Sequence, residues 1–159
     1  TGFARVWEGA EALSAFLRRA PERCRGKRVI ELGAGAGECG LVAACLGAHA
    51  CLTDVRAVVE HVIRRNVDQN GEGEATAREA WPGSIRVGRG SATRATLDWG
   101  EPIPERPFGG SDVRFSDADL IIAAECVWLR ELLPPFAATA STLLRNGAAE
   151  MILSVRDRS

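Results

Sequence analysis

The chain has 159 residues, 46 % hydrophobic and 26 % charged, which fits one domain around one sizeable core. Its 20 basic and 21 acidic residues nearly cancel, to a formal charge of −1, and that balance lacks the positive footprint of a nucleic-acid or anionic-membrane binder. No apolar run has the length of a membrane span and no secretory leader is readable, so a cytoplasmic protein is expected, and the start at Thr1 instead of Met suggests a piece of something longer.

Residues 8–19 carry Ala12, Leu13, Phe16 and Leu17 at helical spacing, and Pro21 and Gly26 end that helix. Residues 28–32 form a short apolar strand that runs straight into Gly33-Ala34-Gly35-Ala36-Gly37. A second helix over 38–46 is closed by Gly47. Residues 48–53 read as a second strand, closed by Asp54. Over 55–67, Val58, Val59, Val62 and Ile63 share one side of a helix that Asn70-Gly71 terminates. Residues 71–90, rich in Gly, Glu and Arg, read as mostly loop, and 92–99 as a third strand. The stretch 100–116, with Pro102, Pro104, Pro107 and Gly109-Gly110, is long for a compact domain, and a mobile or functional loop is expected there. A buried strand over 119–124 follows, then a helix over 130–144 with Pro134-Pro135 near its start, and a fifth strand over 151–155. Strands alternating with helices predict a mostly parallel sheet with crossover helices.

The five cysteines (Cys24, Cys39, Cys45, Cys51 and Cys126) form no C-x-x-C pair, and His49 and His61 complete no metal spacing. Reduced, largely buried thiols and no metal site are expected.

The run Glu31-Leu32-Gly33-Ala34-Gly35-Ala36-Gly37 is the strongest signal. A glycine turn between strand and helix lets the backbone approach a ligand, and the helix that follows offers unpaired N–H groups. Gly35, Gly37 and Gly40 also satisfy the G-x-G-x-x-G spacing of dinucleotide sites, which alone is a weak signal. The acidic Glu31 tips the balance. A carboxylate is unhelpful beside a pyrophosphate, whereas the amino group and sulfonium of S-adenosylmethionine (SAM) are cationic. SAM is therefore preferred over NAD. Asp54 closes the second strand where an acidic residue can accept hydrogen bonds from both ribose hydroxyls, which serves either cofactor.

Five segments in order carry a more specific pattern. They are Val6-Trp7-Glu8-Gly9-Ala10, then Gly26-Lys27-Arg28-Val29-Ile30-Glu31-Leu32-Gly33-Ala34-Gly35, then Leu52-Thr53-Asp54, then Leu97-Asp98-Trp99-Gly100, then Asp119-Leu120-Ile121-Ile122-Ala123-Ala124-Glu125-Cys126-Val127-Trp128. The series resembles the seven-strand (class I) SAM-dependent methyltransferases that modify protein lysines, a group whose members are often labelled nicotinamide N-methyltransferase-like. The resemblance implies an α/β, Rossmann-like, mostly parallel sheet with helices on both faces. It makes residues 1–159 one methyltransferase domain, C-terminally incomplete because the last two strands of that fold are lacking.

By the same resemblance, Trp7 would close over the cofactor, Gly33 and Gly35 would contact its methionine part, and Asp54 would hold the ribose. Trp99 would flank the adenine, and Ala124 would line the pocket. The acidic Glu31 joins them as a cofactor-side residue. The family motif after the fourth strand is usually Asp-x-x-Tyr; here it reads Glu125-Cys126-Val127-Trp128, and the chain has no tyrosine. The carboxylate is kept, while Trp128 can pack and donate one N–H but accept nothing. Glu125 and Trp128 are the expected substrate-side, catalytic pair. The expected activity is SAM-dependent N-methylation of a lysine in a protein substrate. The alternatives are methylation of a small-molecule amine and a SAM-binding module without turnover.

Overall fold

The computed structural model describes residues 7–110, 112–148 and 150–155; Val6 of the N-terminal motif and the 156–159 tail of the expected domain lie outside them. Six strands form one sheet in the order β3-β4-β2-β1-β5-β6. They are β1 (Arg28–Leu32), β2 (His49–Asp54), β3 (Ile85–Val87), β4 (Gly90–Thr96), β5 (Leu120–Ala124) and β6 (Glu150–Ser154). Every neighbouring pair is parallel except β3 with β4. β1 lies at the centre, with Val29 opposite Ala50 on one side and Leu120 on the other. Near-continuous apolar runs suit strands covered on both faces, and Val29, Ile30, Leu120, Ile121 and Ile122 are fully buried.

Side chains alternate between the two faces as the pleat demands. Val29, Leu120 and Ile122 pack under α1 (Glu8–Arg19) and α2 (Glu38–Cys45), against Leu13, Leu17, Cys39 and Ala43. Ile30, Ile121 and Ala123 pack on the opposite face under α5 (Leu133–Asn146), against Phe136, Ala140 and Leu143. The helix expected over 55–67 is one helical path in three parts: α3 (Arg56–Val58), a π turn (Val59–Ile63) and α4 (Arg64–Asn70). Val58, Val59, Ile63 and Val67 face the core with Ala50 and Leu52.

Two expectations need adjustment. First, the 71–90 stretch is mostly loop, as expected, but it also holds β3, which makes a hairpin with the start of β4 in which Val87 pairs with Gly90. The three residues of β3 are too few to give a readable period. The same stretch is tied to the core by Trp81, 2 % exposed, whose Nε1 donates to the His49 carbonyl at 2.8 Å. The Arg28 guanidinium lies 5.5 Å from the Trp81 ring centroid. Second, the strand expected over 92–99 ends at Thr96, so Trp99 belongs to the loop beyond it. That loop lacks a long element but is anchored: Thr96 N–H donates to the Phe108 carbonyl at 2.8 Å, and Val113 and Phe115 are buried. Helix α5 follows a short 3-10 turn (Arg130–Leu132) and carries its prolines in the first turn, where no N–H is missed. Of the thiols, Cys24, Cys39, Cys51 and Cys126 are buried, and Cys45 is exposed.

Candidate cofactor and substrate site

β1 has β2 on one side and β5 on the other, so the chain winds outward in both directions from it. Ligands bind open α/β sheets at that crevice, beyond the carboxyl ends of the strands. Glu31 and Leu32 end β1, and the chain then turns through Gly33, Gly35 and Gly37 at φ of 61°, 54° and 81° into α2. At Gly33 a Cβ would come 2.7 Å from the Cys126 Cβ and 3.1 Å from the Trp99 ring, so both conformation and space demand glycine there.

A cavity of about 710 Å³ opens at this point. The cofactor-side residues singled out by sequence, Trp7, Glu31, Gly33, Gly35, Asp54, Trp99 and Ala124, all line it. The substrate-side pair, Glu125 and Trp128, lines it too. Trp99 is held by an edge contact to Phe136, with ring centroids 5.1 Å apart. Trp128 is 57 % exposed at the mouth.

Asp54 is fixed by two backbone donors: Gly35 N–H reaches Oδ2 at 2.9 Å and Val55 N–H reaches Oδ1 at 2.7 Å. Burial raises its pKa against those hydrogen bonds. Glu31 is 3 % exposed and accepts the Gly40 N–H at 3.0 Å. Burial pushes its carboxyl from 4.5 up to about 8, opposed by the Gly40 N–H and aided by nearby Asp54 and Glu38. Burial also pushes the Cys126 thiol up to about 12, which makes it a packing group and not a nucleophile at neutral pH.

The Glu31 shift has a testable sign. Its folded pKa lies above its unfolded one, so its contribution to stability is fully present below pH 4.5 and is lost as pH rises through about 8. Glu31→Gln is neutral throughout. Its melting temperature relative to the native chain is expected to climb between about pH 5 and pH 8. Parallel melting curves across that window would mean that Glu31 is ionised in the folded protein.

Several lining residues were missed in the sequence. Glu38 opens α2 directly after the glycine turn, and Asp98 precedes Trp99 and accepts the Gly100 N–H at 3.0 Å. Both lie inside motifs that the sequence reading quotes, so position in the motif could have named them. Leu132 and Pro135 reach the mouth from the start of α5, and no local pattern announces that. Among the described residues, the lining holds five carboxylates, Glu31, Glu38, Asp54, Asp98 and Glu125, and no lysine, arginine or histidine. Such a lining repels a pyrophosphate and suits a ligand carrying positive charge.

Fold and cavity together define a doubly wound α/β protein with an acidic, glycine-floored ligand site. The chain matches the lysine methyltransferase family model over residues 2–159, and it belongs to that family. It is 36 % identical over 154 residues to the protein N-lysine methyltransferase METTL21A of Danio rerio, covering 96 % of this chain and 60 % of that protein. It is 31 % identical over 156 residues to a calmodulin-lysine N-methyltransferase of Arabidopsis thaliana, covering 96 % of this chain and 44 % of the relative. The chain thus spans 60 % or less of the length of these two relatives. In fold it is similar to the magnesium protoporphyrin IX methyltransferase of Synechocystis PCC 6803 solved with bound S-adenosylhomocysteine, with a TM-score of 0.58 and 16 % identity. That match covers 94 % of this chain and 55 % of the solved one.

Proposed function

We propose that this chain is the cofactor-binding core of a SAM-dependent methyltransferase that acts on a lysine side chain in a protein substrate. The observation that carries the reading is that the acidic side chains lining the cavity around the glycine turn have no cationic one among them, within the described residues. SAM carries an ammonium, a sulfonium and one carboxylate, so it brings net positive charge to a site with no cationic side chain among the described residues. NAD would bring a pyrophosphate to the same carboxylates.

The residues fit SAM part by part. Asp54, its two oxygens already oriented by Gly35 and Val55, faces the cavity where a ribose diol can donate to it. Glu31 and Glu38 flank the turn for the ammonium, and a cation there favours the ionised form of Glu31, so binding at neutral pH releases a proton. Trp99 and Asp98 offer a flat face and an acceptor for adenine. Bound in this cavity, SAM supplies an electrophilic methyl group.

On the acceptor side, Trp7, Trp128, Leu132 and Pro135 make an apolar mouth. A lysine amine that enters it is desolvated, which lowers its pKa from about 10.4 and frees the lone pair that must attack. Trp128 has no acceptor atom, so the proton leaves to water and not to this side chain. Positioning then carries most of the rate, up to about 7–11 kcal/mol in favourable cases. The protein substrate is favoured over a small amine by exposed apolar side chains that follow Trp128 closely in the chain: Leu129 and Leu133, the latter 56 % exposed. A small amine needs no such surface.

The test is incubation with methyl-labelled SAM and a cell extract, or with the extract's small-molecule fraction alone. Label recovered as methyl-lysine after hydrolysis of the protein fraction is expected. Label in small amines would turn the assignment to a small-molecule N-methyltransferase. Tight SAM binding with no transfer to either fraction would leave a binding module.

A further inference from the structure

Glu125 joins three elements at the rim of the cavity. It follows β5 directly, and its N–H donates to the carbonyl of Ser154, in β6, at 2.9 Å. It is the one non-glycine residue with positive φ, 50°, among the described residues. Side chains rarely adopt that conformation, and where it persists the surroundings over-determine it. The turn sends consecutive side chains to different structures. Cys126 goes to the glycine turn, where Gly33 has no room for a Cβ. Glu125 goes to α1, where its Cγ and Oε1 occupy the space a Cβ on Gly9 would need.

Helix α1 is anchored unequally. Its later part is held by Leu13 and Leu17, both buried against Cys39, Ala43 and Leu120. Its first turn has no large apolar side chain: Glu8, Glu11 and Ala12 are exposed, and Gly9 is buried although it has no side chain. A carboxylate set against this end is electrostatically favourable, because the N-terminal end of a helix is positive. The Oε1 of Glu125 is shielded from solvent in this position. Trp7, one residue before the helix, lines the cavity.

We propose that Glu125 is a positioning residue that staples the first turn of α1, and Trp7 with it, over the cavity, and so governs retention of the cofactor. The cofactor part of this inference rests on the reading given above; the staple itself does not. Glu125 thereby acts on the segment that closes the site and not on the proton of the acceptor amine.

The test is a double-mutant cycle on Gly9→Ala and Glu125→Ala, with Glu125→Gln as the conservative variant. In ligand-free protein, amide exchange in the first turn of α1 is expected to rise about tenfold in each single variant and to stay unchanged around Leu13 and Leu17. SAM dissociation constants from calorimetry should rise about tenfold in both, and the double variant should be no worse than Glu125→Ala, because the added methyl then meets empty space. Glu125→Gln keeps the shape and an acceptor oxygen, and should rescue exchange, affinity and the pH profile of turnover together. Additive losses in the cycle would overturn the staple. So would a Glu125→Gln variant with native α1 exchange whose turnover falls about a hundredfold with a displaced pH profile, since that is the signature of a proton-transfer role. A native protein that shows the exchange coupling but binds no SAM would sink the proposed function and leave the staple standing. Should Glu125→Ala fail to fold, Gly9→Ala and Glu125→Gln still decide.

Discussion

Replacing Gly33 with alanine should lower stability by about 2–4 kcal/mol, from a backbone penalty of about 1 kcal/mol and an overpacking penalty of about 1–3 kcal/mol. For a domain of this size that corresponds to a melting temperature lower by roughly 5–15 °C. The two penalties can be separated. Gly26 has the same kind of backbone, φ 72°, but a Cβ there would meet nothing within 4 Å. Gly26→Ala therefore carries the backbone penalty alone. At Gly33 the methyl would also press on Cys126 and Trp99, at 2.7 and 3.1 Å. Cys126 is fixed by the turn at Glu125, and Trp99 is held by Phe136, so neither yields freely. Urea unfolding of the two variants side by side gives the crowding contribution as the difference. Equal losses would mean that Cys126 and Trp99 move aside, and the floor of the cavity would then be softer than its geometry implies.

Gly33 also illustrates what was legible in the sequence. A strand running into alternating glycines has few structural solutions, so the turn, α2 and the acidic Glu31 before the turn could be read directly. The same holds for β5, whose run Leu120-Ile121-Ile122-Ala123-Ala124 is long enough to mark a buried strand. The β3 hairpin could not be read, because Ile85-Arg86-Val87 is too short for a period and its pairing with β4 is set by tertiary contact through Trp81. Nor could the end of β4. The apolar character of Leu97 and Trp99 persists after strand pairing stops, because both still face the core, first as packing and then as cavity wall.

The nine residues that the sequence singled out around the site all reach one cavity, and the reason is topological. Each sits at or just beyond the carboxyl end of a strand, or immediately before α1, and a parallel sheet gathers those ends on one edge. What the sequence did not convey is how each residue is engaged. Glu125 reads as a substrate-side, catalytic carboxylate, and the fold adds that its side chain lies against Gly9. That engagement depends on a positive φ and on a glycine more than a hundred residues away. Neither the residue type nor the spacing of the Glu-x-x-Trp motif encodes it.

Asp54→Ala should raise the dissociation constant for SAM by about 10- to 100-fold, the equivalent of losing roughly 1.5–3 kcal/mol of charge-assisted hydrogen bonding. The carboxylate has two tasks that the substitution removes together. It accepts the Gly35 and Val55 N–H groups, which pins the glycine turn to the end of β2, and it faces the cavity as the acceptor for a ribose diol. Asp54→Asn separates these tasks, since its amide oxygen can keep one backbone donor while the negative charge is lost. An asparagine variant that binds SAM as weakly as the alanine variant, yet melts like the native chain, would assign the effect to the ligand contact. An asparagine variant with native affinity would assign it to the turn. NAD is the control ligand for the whole series. Glu38, Asp54, Asp98 and Glu125, with no cationic side chain among the described lining residues, oppose its pyrophosphate, so no NAD binding is expected in any variant. If NAD bound the native chain and SAM did not, the electrostatic argument for the cofactor would fail at its first step, whatever the family to which the chain belongs.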